Sequence, residues 1–110
     1  PLEVKSSVKE KMYLSSPRLK EQLEGFLLQC QKANTFPVYA FRLKKRKGDT
    51  WRVFTIPMEG LKYFSRNLNC KIAPLRRTDG GNYVMEWSEG TPLSSFLMEV
   101  GKILDTIHGR

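Results

Sequence analysis

Histidine and cysteine are scarce in this chain of 110 residues. It has one histidine, His108, and two cysteines, Cys30 and Cys70, with no CxxC pair. Zinc sites and Cys–His nucleophile pairs need several such residues at fixed spacing, so both kinds of site are excluded. We expect two free thiols, buried or half-buried, in a reducing intracellular compartment, with a disulfide between them as the alternative. His108 is expected to end a helix rather than to bind a ligand.

Long apolar runs and the motifs of known catalytic sites are also missing from the sequence. No apolar run approaches the roughly 20 residues of a membrane span, and the first residues, PLEVKSS, do not resemble a signal peptide. There is no glycine-rich phosphate loop, nucleophile elbow or pair of catalytic carboxylates. We therefore expect no membrane association, no metal, no cofactor and no catalysis, the enzymatic alternative being a degenerate nuclease-like fold. The chain is expected to be cut from a larger protein.

Acidic residues are few in the middle third of the chain, where the basic residues concentrate. Residues 42–77 contain eleven lysines and arginines against two acids, Asp49 and Glu59, a net charge of +9, whereas the whole chain carries +8. Such an asymmetry informs about partners rather than about the fold, and it favours an anionic partner.

The stretch from Val38 to Ile56 alternates apolar and polar residues and predicts a β-hairpin. Gly48-Asp49 suits a two-residue type II′ turn, because glycine stands in its first place. That turn would pair Leu43 with Phe54. A longer loop would place two like charges, Arg42 and Arg52, opposite each other, which is destabilising. The tight turn is therefore favoured.

In this register the hairpin has an apolar face and a basic face. The apolar face carries Tyr39, Phe41, Leu43, Phe54 and Ile56. The basic face carries Arg42, Lys44, Arg46, Trp51, Val53 and Thr55. On that face the indole of Trp51 could stack on a nucleic-acid base or hold Arg46 by a cation–π contact.

Helix signals stand on both sides of the hairpin. Ser16-Pro17 predicts a first helix with serine as N-cap and proline at its first position. Pro57 is expected to open a second helix, and Thr91-Pro92 repeats the serine–proline pattern before a third. Gly25 interrupts the first helix and is expected to mark a close packing contact.

Two further strands, in CKIAPLRRT and NYVMEWS, complete the element order α-β-β-α-β-β-α. This order predicts a single α+β domain over residues 15–110. Its four-stranded, mainly antiparallel sheet would carry the helices on one face and leave the other face open. Residues 1–14 are expected to be a weakly structured N-terminal segment or a linker, with a short strand through Val4, Val8 and Tyr13 as the alternative.

The element order resembles that of two known families. The whole order resembles one half of a LAGLIDADG homing endonuclease, and residues 23–26 resemble the helix of that motif. Gln29, Cys30 and Gln31 replace the acidic residues that such enzymes carry at the helix end, so the resemblance implies a loss of metal-dependent cleavage. The β-β-α-β-β-α part resembles the small ribosome-binding initiation-factor fold, with Cys70 in a similar place after the second helix.

Charge and hairpin together predict a non-catalytic nucleic-acid-binding domain, with RNA or single strands favoured. Cations would neutralise phosphates while Trp51 stacks on a base. The candidate binding residues are Arg42, Lys44, Lys45, Arg46, Lys47, Trp51, Arg52, Lys71, Arg76 and Arg77. The alternative is a protein-interaction domain that docks an acidic partner segment or a helix. Pairing of a free sheet edge in a homodimer also remains open.

Overall fold

The structure, a computed structural model, describes residues 2–107, so His108 and its predicted place at a helix end lie outside the described residues. Three helices are present in this range: α1 (Pro17–Lys32), α2 (Tyr63–Asn69) and α3 (Leu93–Ile107). The strands are β1 (Leu2–Ser7), β2 (Lys11–Tyr13), β3 (Val38–Leu43), β4 (Trp51–Thr55), β5 (Ala73–Pro74), β6 (Arg76–Arg77), β7 (Tyr83–Glu86) and β8 (Thr91–Pro92). The predicted α+β class is confirmed.

The strands form two sheets within residues 2–107 instead of the one predicted. In the first sheet, β1 runs parallel to β3, β3 antiparallel to β4, and both β5 and β8 pair with β4. The second sheet is antiparallel, in the order β2-β7-β6. The chain passes from one sheet to the other at Leu75, whose N–H donates to the Thr55 carbonyl over 2.8 Å. Pro74 has no N–H to continue a ladder, which explains why the predicted third strand divides there.

The N-terminal segment forms strands, so the weakly structured segment or linker that was expected is not what residues 2–13 adopt. In β1, exposed Leu2 and Val4 alternate with half-buried Glu3 and Lys5. β1 pairs with β3 in register along its whole length. The first sheet is therefore mixed rather than mainly antiparallel.

The start of α1 confirms the sequence prediction. Pro17 is its first residue, and the Ser16 hydroxyl accepts a hydrogen bond from the N–H of Leu19 over 3.2 Å. Gly25 does not mark a close packing contact, because a Cβ added there would meet nothing within 4 Å.

The other two helices begin later than predicted. α2 starts at Tyr63 rather than at Pro57. α3 starts at Leu93, because Thr91 belongs to β8 and its hydroxyl accepts the N–H of Ala73 over 2.8 Å instead of capping a helix. No helix within residues 2–107 is both long and apolar enough to cross a membrane.

Both faces of the first sheet are covered, which corrects the predicted open face. The predicted apolar face packs against α1 and against Met85 and Trp87. On the other face Val53 and Thr55 are fully buried, with 1% and 0% of their surface exposed. Val53 packs there in a second apolar cluster with Leu93 and Phe96 of α3 at its border. Helices therefore lie on both sides of this sheet.

Thr55 is accommodated in this second core by hydrogen bonds. Its hydroxyl donates to the Pro37 carbonyl over 2.6 Å and accepts from the side-chain amide of Asn69 over 3.0 Å. A buried hydroxyl is tolerated only when it has such partners. Thr55 therefore connects Asn69, the last residue of α2, to the centre of the sheet.

The two cysteines differ in burial. Both are free thiols, as expected, but Cys30 is buried and Cys70 is exposed. Burial raises the pKa of the Cys30 thiol. The expected burial of Cys70 is wrong, because this residue follows the last residue of α2 and is exposed, while Asn69 before it is buried.

Candidate nucleic-acid interface and active-site cleft

The hairpin register differs from the predicted one by four residues. Phe54 lies opposite Tyr39 rather than Leu43, and Trp51 lies opposite Arg42 rather than Arg46. A shift by an even number of residues keeps every side chain on its face, because the side-chain period of a strand is two. The apolar face was therefore predicted correctly although the pairs were not.

Residues 44–50 connect β3 to β4 in this register. We call this connection the basic loop. The N–H of Leu43 donates to the Thr50 carbonyl over 2.9 Å and closes the loop. Lys45 and Gly48 take positive φ angles of 65° and 82°. The predicted two-residue turn is thus replaced by a loop of seven residues.

Trp87 packs against the basic loop. The guanidinium carbons of Arg46 and Arg52 lie 4.5 and 3.9 Å from the centroid of its ring. Its indole N–H donates to the Thr50 carbonyl over 3.0 Å, and only 5% of the residue is exposed. Arg46 therefore does stack on a tryptophan, but on Trp87 rather than on Trp51.

The two arginines on Trp87 have different surroundings. Arg52 forms an ion pair of 2.8 Å with Asp49 and donates to the Trp51 carbonyl over 2.9 Å, and 13% of its side chain is exposed. Arg46 is exposed and donates through Nε to the Asp49 carbonyl over 3.3 Å. Arg52 is therefore committed to the protein, while the end of Arg46 faces solvent.

Most of the predicted basic residues at the hairpin remain available to a ligand. Arg42 and the four cations of residues 44–47 are exposed. In the described part of the chain, none of these five side chains belongs to an ion pair. Trp51 is half-buried at the start of β4, and its stacking on a base stays a prediction.

The remaining candidate cations lie elsewhere. Arg76 and Arg77 form β6 in the second sheet. Arg76 pairs with Glu86 over 2.9 Å and with Glu89 over 3.2 Å, and the hydrogen bond and charge of Glu89 raise the pKa of its guanidinium. The guanidinium of Arg77 lies 4.4 Å from the ring centroid of Tyr83. Lys71 is exposed beyond α2. The ten predicted residues therefore do not share one open face.

A polar cleft between β1 and α1 was missed from the sequence. Glu3 and Lys5 lie on the same side of β1 because alternate strand residues share a face. With residues of α1 they line a cavity of about 360 Å³. The ammonium of Lys5 donates to the side-chain carbonyl of Gln22 over 3.4 Å. The remaining lining residues are Glu21, Gly25, Phe26 and Gln29.

Tyr39 lies beside the carboxylate of this cleft. It is opposite Glu3 in the ladder, is 3% exposed, and contacts Phe26 edge-to-face with ring centroids 5.5 Å apart. Burial, followed by the charge of Glu3, raises the pKa of the Tyr39 phenol. The phenol therefore stays protonated next to Glu3. The sequence signal for this site was the alternation of charged Glu3 and Lys5 with apolar Val4, in an N-terminal segment whose pattern is otherwise weak.

The sequence of this chain matches no family model and no curated protein. Among solved structures, its fold is similar to that of Hjc, a Holliday junction resolvase from the archaeal hyperthermophile Archaeoglobus fulgidus, with a TM-score of 0.53 and 20% sequence identity. The similarity covers 93% of this chain and 63% of that chain. This chain thus spans less than two thirds of the resolvase, and the likeness shows a shared fold.

The likeness corrects the prediction that the chain is not an enzyme. A similar fold is found in a resolvase, which is an enzyme by its name. The prediction relied on the absence of catalytic motifs, an absence that does not exclude an enzyme. A carboxylate and an ammonium two positions apart on a strand form too short a pattern to be noticed without the cleft.

Proposed function

We propose that this chain is part of a DNA-processing enzyme that binds branched DNA and acts on its phosphodiester backbone. The observation that carries the proposal is the cleft between β1 and α1. There Glu3 and Lys5 lie on one face of a strand. The fold is the one seen in a Holliday junction resolvase.

The two side chains offer complementary chemistry to a phosphodiester. The Lys5 ammonium can stabilise the negative charge that develops on the phosphate oxygens, and Gln22 holds it from the helix side. The Glu3 carboxylate can orient a water molecule and accept its proton. Within residues 2–107 neither Glu3 nor Lys5 forms an ion pair, so both charges are available to a substrate.

Many nucleases also use divalent cations, and Mg²⁺ is usually held by one or two carboxylates together with substrate phosphates and water. The carboxylates that line this cleft are Glu3 and Glu21. Residues 2–107 contain no group of three or more histidine, cysteine or acidic residues placed to hold a metal ion. These residues do not complete a metal site by themselves, and the roles proposed for Glu3 and Lys5 require none.

The basic loop lies next to the end of β1, the strand that carries Glu3 and Lys5. The N–H of Lys44 donates to the Ser7 carbonyl over 2.7 Å, which joins the loop to the end of β1. Ser7 is two residues beyond Lys5, roughly 7 Å along a strand, which is about the axial rise of two nucleotides. A DNA strand with one phosphate in the cleft could therefore place neighbouring phosphates on the loop cations.

Binding is tested first, by titrating fluorescently labelled four-way junction, duplex, single-stranded DNA and RNA with the full chain at two salt concentrations. We expect the junction to bind most tightly. Affinity should fall strongly at the higher salt concentration, because binding releases counterions from the DNA and this release is less favourable when salt is abundant. No binding to any DNA at low salt would overturn the proposal. The predicted preference for RNA or single strands, and the alternative of an acidic protein partner, stay predictions that this titration also addresses.

The roles in the cleft are tested with charge-removing variants. Glu3→Gln and Lys5→Met should each abolish cleavage of the junction while leaving its binding within a fewfold. The matched controls are Glu24→Gln and Lys20→Met, two α1 residues that line a different groove. Cleavage that survives in Glu3→Gln, or falls equally in the controls, would contradict the assignment.

A further inference from the structure

The basic loop is held more firmly than its composition suggests. The four consecutive cations of residues 44–47 repel one another, and a surface loop of seven residues that contains them would ordinarily be mobile. Here the Thr50 carbonyl receives the Trp87 indole N–H over 3.0 Å, and Arg52 is bound to Asp49 over 2.8 Å. Arg46 lies on the Trp87 ring. The loop is thus anchored at three points.

Trp87 is itself fixed by the backbone around it. It begins a 3-10 helix, Trp87–Glu89, and its N–H donates to the Glu10 carbonyl over 2.7 Å. Gly90 closes this turn by donating to the Trp87 carbonyl over 3.1 Å. A Cβ at Gly90 would lie 2.6 Å from the Cβ of Arg52, so the turn sits directly on β4. The ring is therefore a rigid surface beneath the loop.

Of the two arginines on this ring, only Arg46 can bind a ligand. Nη1 of Arg52 donates to the Asp49 carboxylate and to the Trp51 carbonyl, and only 13% of this side chain is exposed. For Arg46, the described residues provide a hydrogen-bond partner for Nε and none for the two terminal amino groups. Two adjacent amino groups on a planar guanidinium match two oxygens of a phosphate.

We propose that Trp87 is a positioning residue that holds Arg46 ready for a phosphate, so that the basic loop acts as a preorganised clamp on the DNA backbone next to the cleft. This inference rests on the function proposed above and adds a defined role for two residues. Holding the loop before binding reduces the conformational entropy that is lost in the complex. The stack on Trp87 needs the planar guanidinium of arginine, whereas a simple charge effect needs only a cation.

Two charge-conserving variants separate these explanations. Arg46→Lys keeps the charge and loses the flat stacking group, and Lys47→Arg is the matched control on the same loop. We expect Arg46→Lys to weaken binding of the labelled four-way junction about tenfold at low salt, and Lys47→Arg to change it less than about twofold. Equal affinities for wild type and Arg46→Lys would overturn the positioning role.

Hydrogen exchange of the loop amides, measured without DNA, tests the anchor directly. Trp87→Leu should speed exchange across residues 44–50 by about tenfold or more, while Trp87→Phe, which keeps an aromatic face, should have a smaller effect. Exchange in α1 reports whether the fold is intact. Should Trp87→Leu unfold the protein, Arg46→Met removes the same stack from the surface. Unchanged loop exchange in Arg46→Met and Trp87→Phe would contradict the anchor.

The two measurements keep the proposals apart. If wild type binds the junction and Arg46→Lys is neutral, the DNA-binding function stands and the positioning role fails. If wild type binds no DNA, the proposed function fails and the phosphate role of Arg46 fails with it. The exchange experiment decides in either case whether Trp87 orders the loop.

Discussion

The basic loop and β6 are the two places where basic residues cluster, and the structure treats them in opposite ways. In the loop, Asp49 is the one acid, and it pairs with Arg52 of the adjoining strand and leaves residues 44–47 exposed. In β6, Arg76 is held by Glu86 and Glu89. Both acids come from the segment that follows β6 across a turn.

This contrast shows that a count of charges along the chain overestimates a binding surface. A charge is available to a phosphate only where no acid from another part of the chain already neutralises it. Antiparallel pairing of β6 with β7 brings such acids to Arg76. In the basic loop, no acid among the described residues pairs with the cations of residues 44–47. Four experiments test this contrast.

The largest effect should come from removing the surface beneath the loop. Trp87→Ala should lower the free energy of unfolding by about 3–5 kcal/mol, because a buried indole is replaced by a cavity. Trp51→Ala is the control, since this tryptophan is half-buried and should lose less than about 1.5 kcal/mol. Chemical denaturation of both variants gives the comparison, and a larger loss for Trp51→Ala would show that the loop is not held as described.

The loop cations themselves should matter for binding and not for stability. Replacing Lys44, Lys45, Arg46 and Lys47 by serine should weaken junction binding on the order of a hundredfold at low salt and flatten its salt dependence. Unfolding should change little, because exposed charges contribute little. The comparison variant, Arg76→Ser with Arg77→Ser, should weaken binding less than about threefold. Similar losses for both variants would erase the distinction between the two clusters.

The turn that carries Trp87 is tested at its glycine. Gly90→Ala should destabilise the protein by about 1–3 kcal/mol, since the added Cβ would lie 2.6 Å from Arg52 and 2.7 Å from Phe54. Gly25→Ala is the control inside α1, where a Cβ meets nothing within 4 Å, and it should stabilise by up to about 1 kcal/mol. Thermal melts of the two variants should therefore shift in opposite directions.

The smallest expected effect is a gain. Glu86→Gln combined with Glu89→Gln should release Arg76 and tighten junction binding about threefold at low salt. Glu24→Gln combined with Glu59→Gln changes the net charge equally but releases no arginine of β6. An equal gain in this control would mean that binding follows net charge alone and that masking of Arg76 is irrelevant.

Features that depend on neighbouring residues were predictable from the sequence. The start of α1 at Pro17 follows from the Ser16 cap and the proline. The buried face of the hairpin follows from the period of two, and the helix and strand signals together indicate the α+β class. The location of the exposed cations in residues 44–47 was likewise visible, because an uninterrupted charged run has no other place than the surface.

Contacts between distant parts of the chain decided the rest. The loop of the hairpin packs against Trp87, whose indole N–H donates to the Thr50 carbonyl 37 residues earlier, and no local turn signal reveals this contact. The masking of Arg76 requires acids from ten and thirteen residues further along the chain. The cleft of Glu3 and Lys5 exists only because β1 lies parallel to β3 and faces α1. Sequence alone therefore determined which residues carry charge and which face of the hairpin is apolar. Tertiary packing buried Val53 and Thr55 on the other face and decided which charges are free to act together.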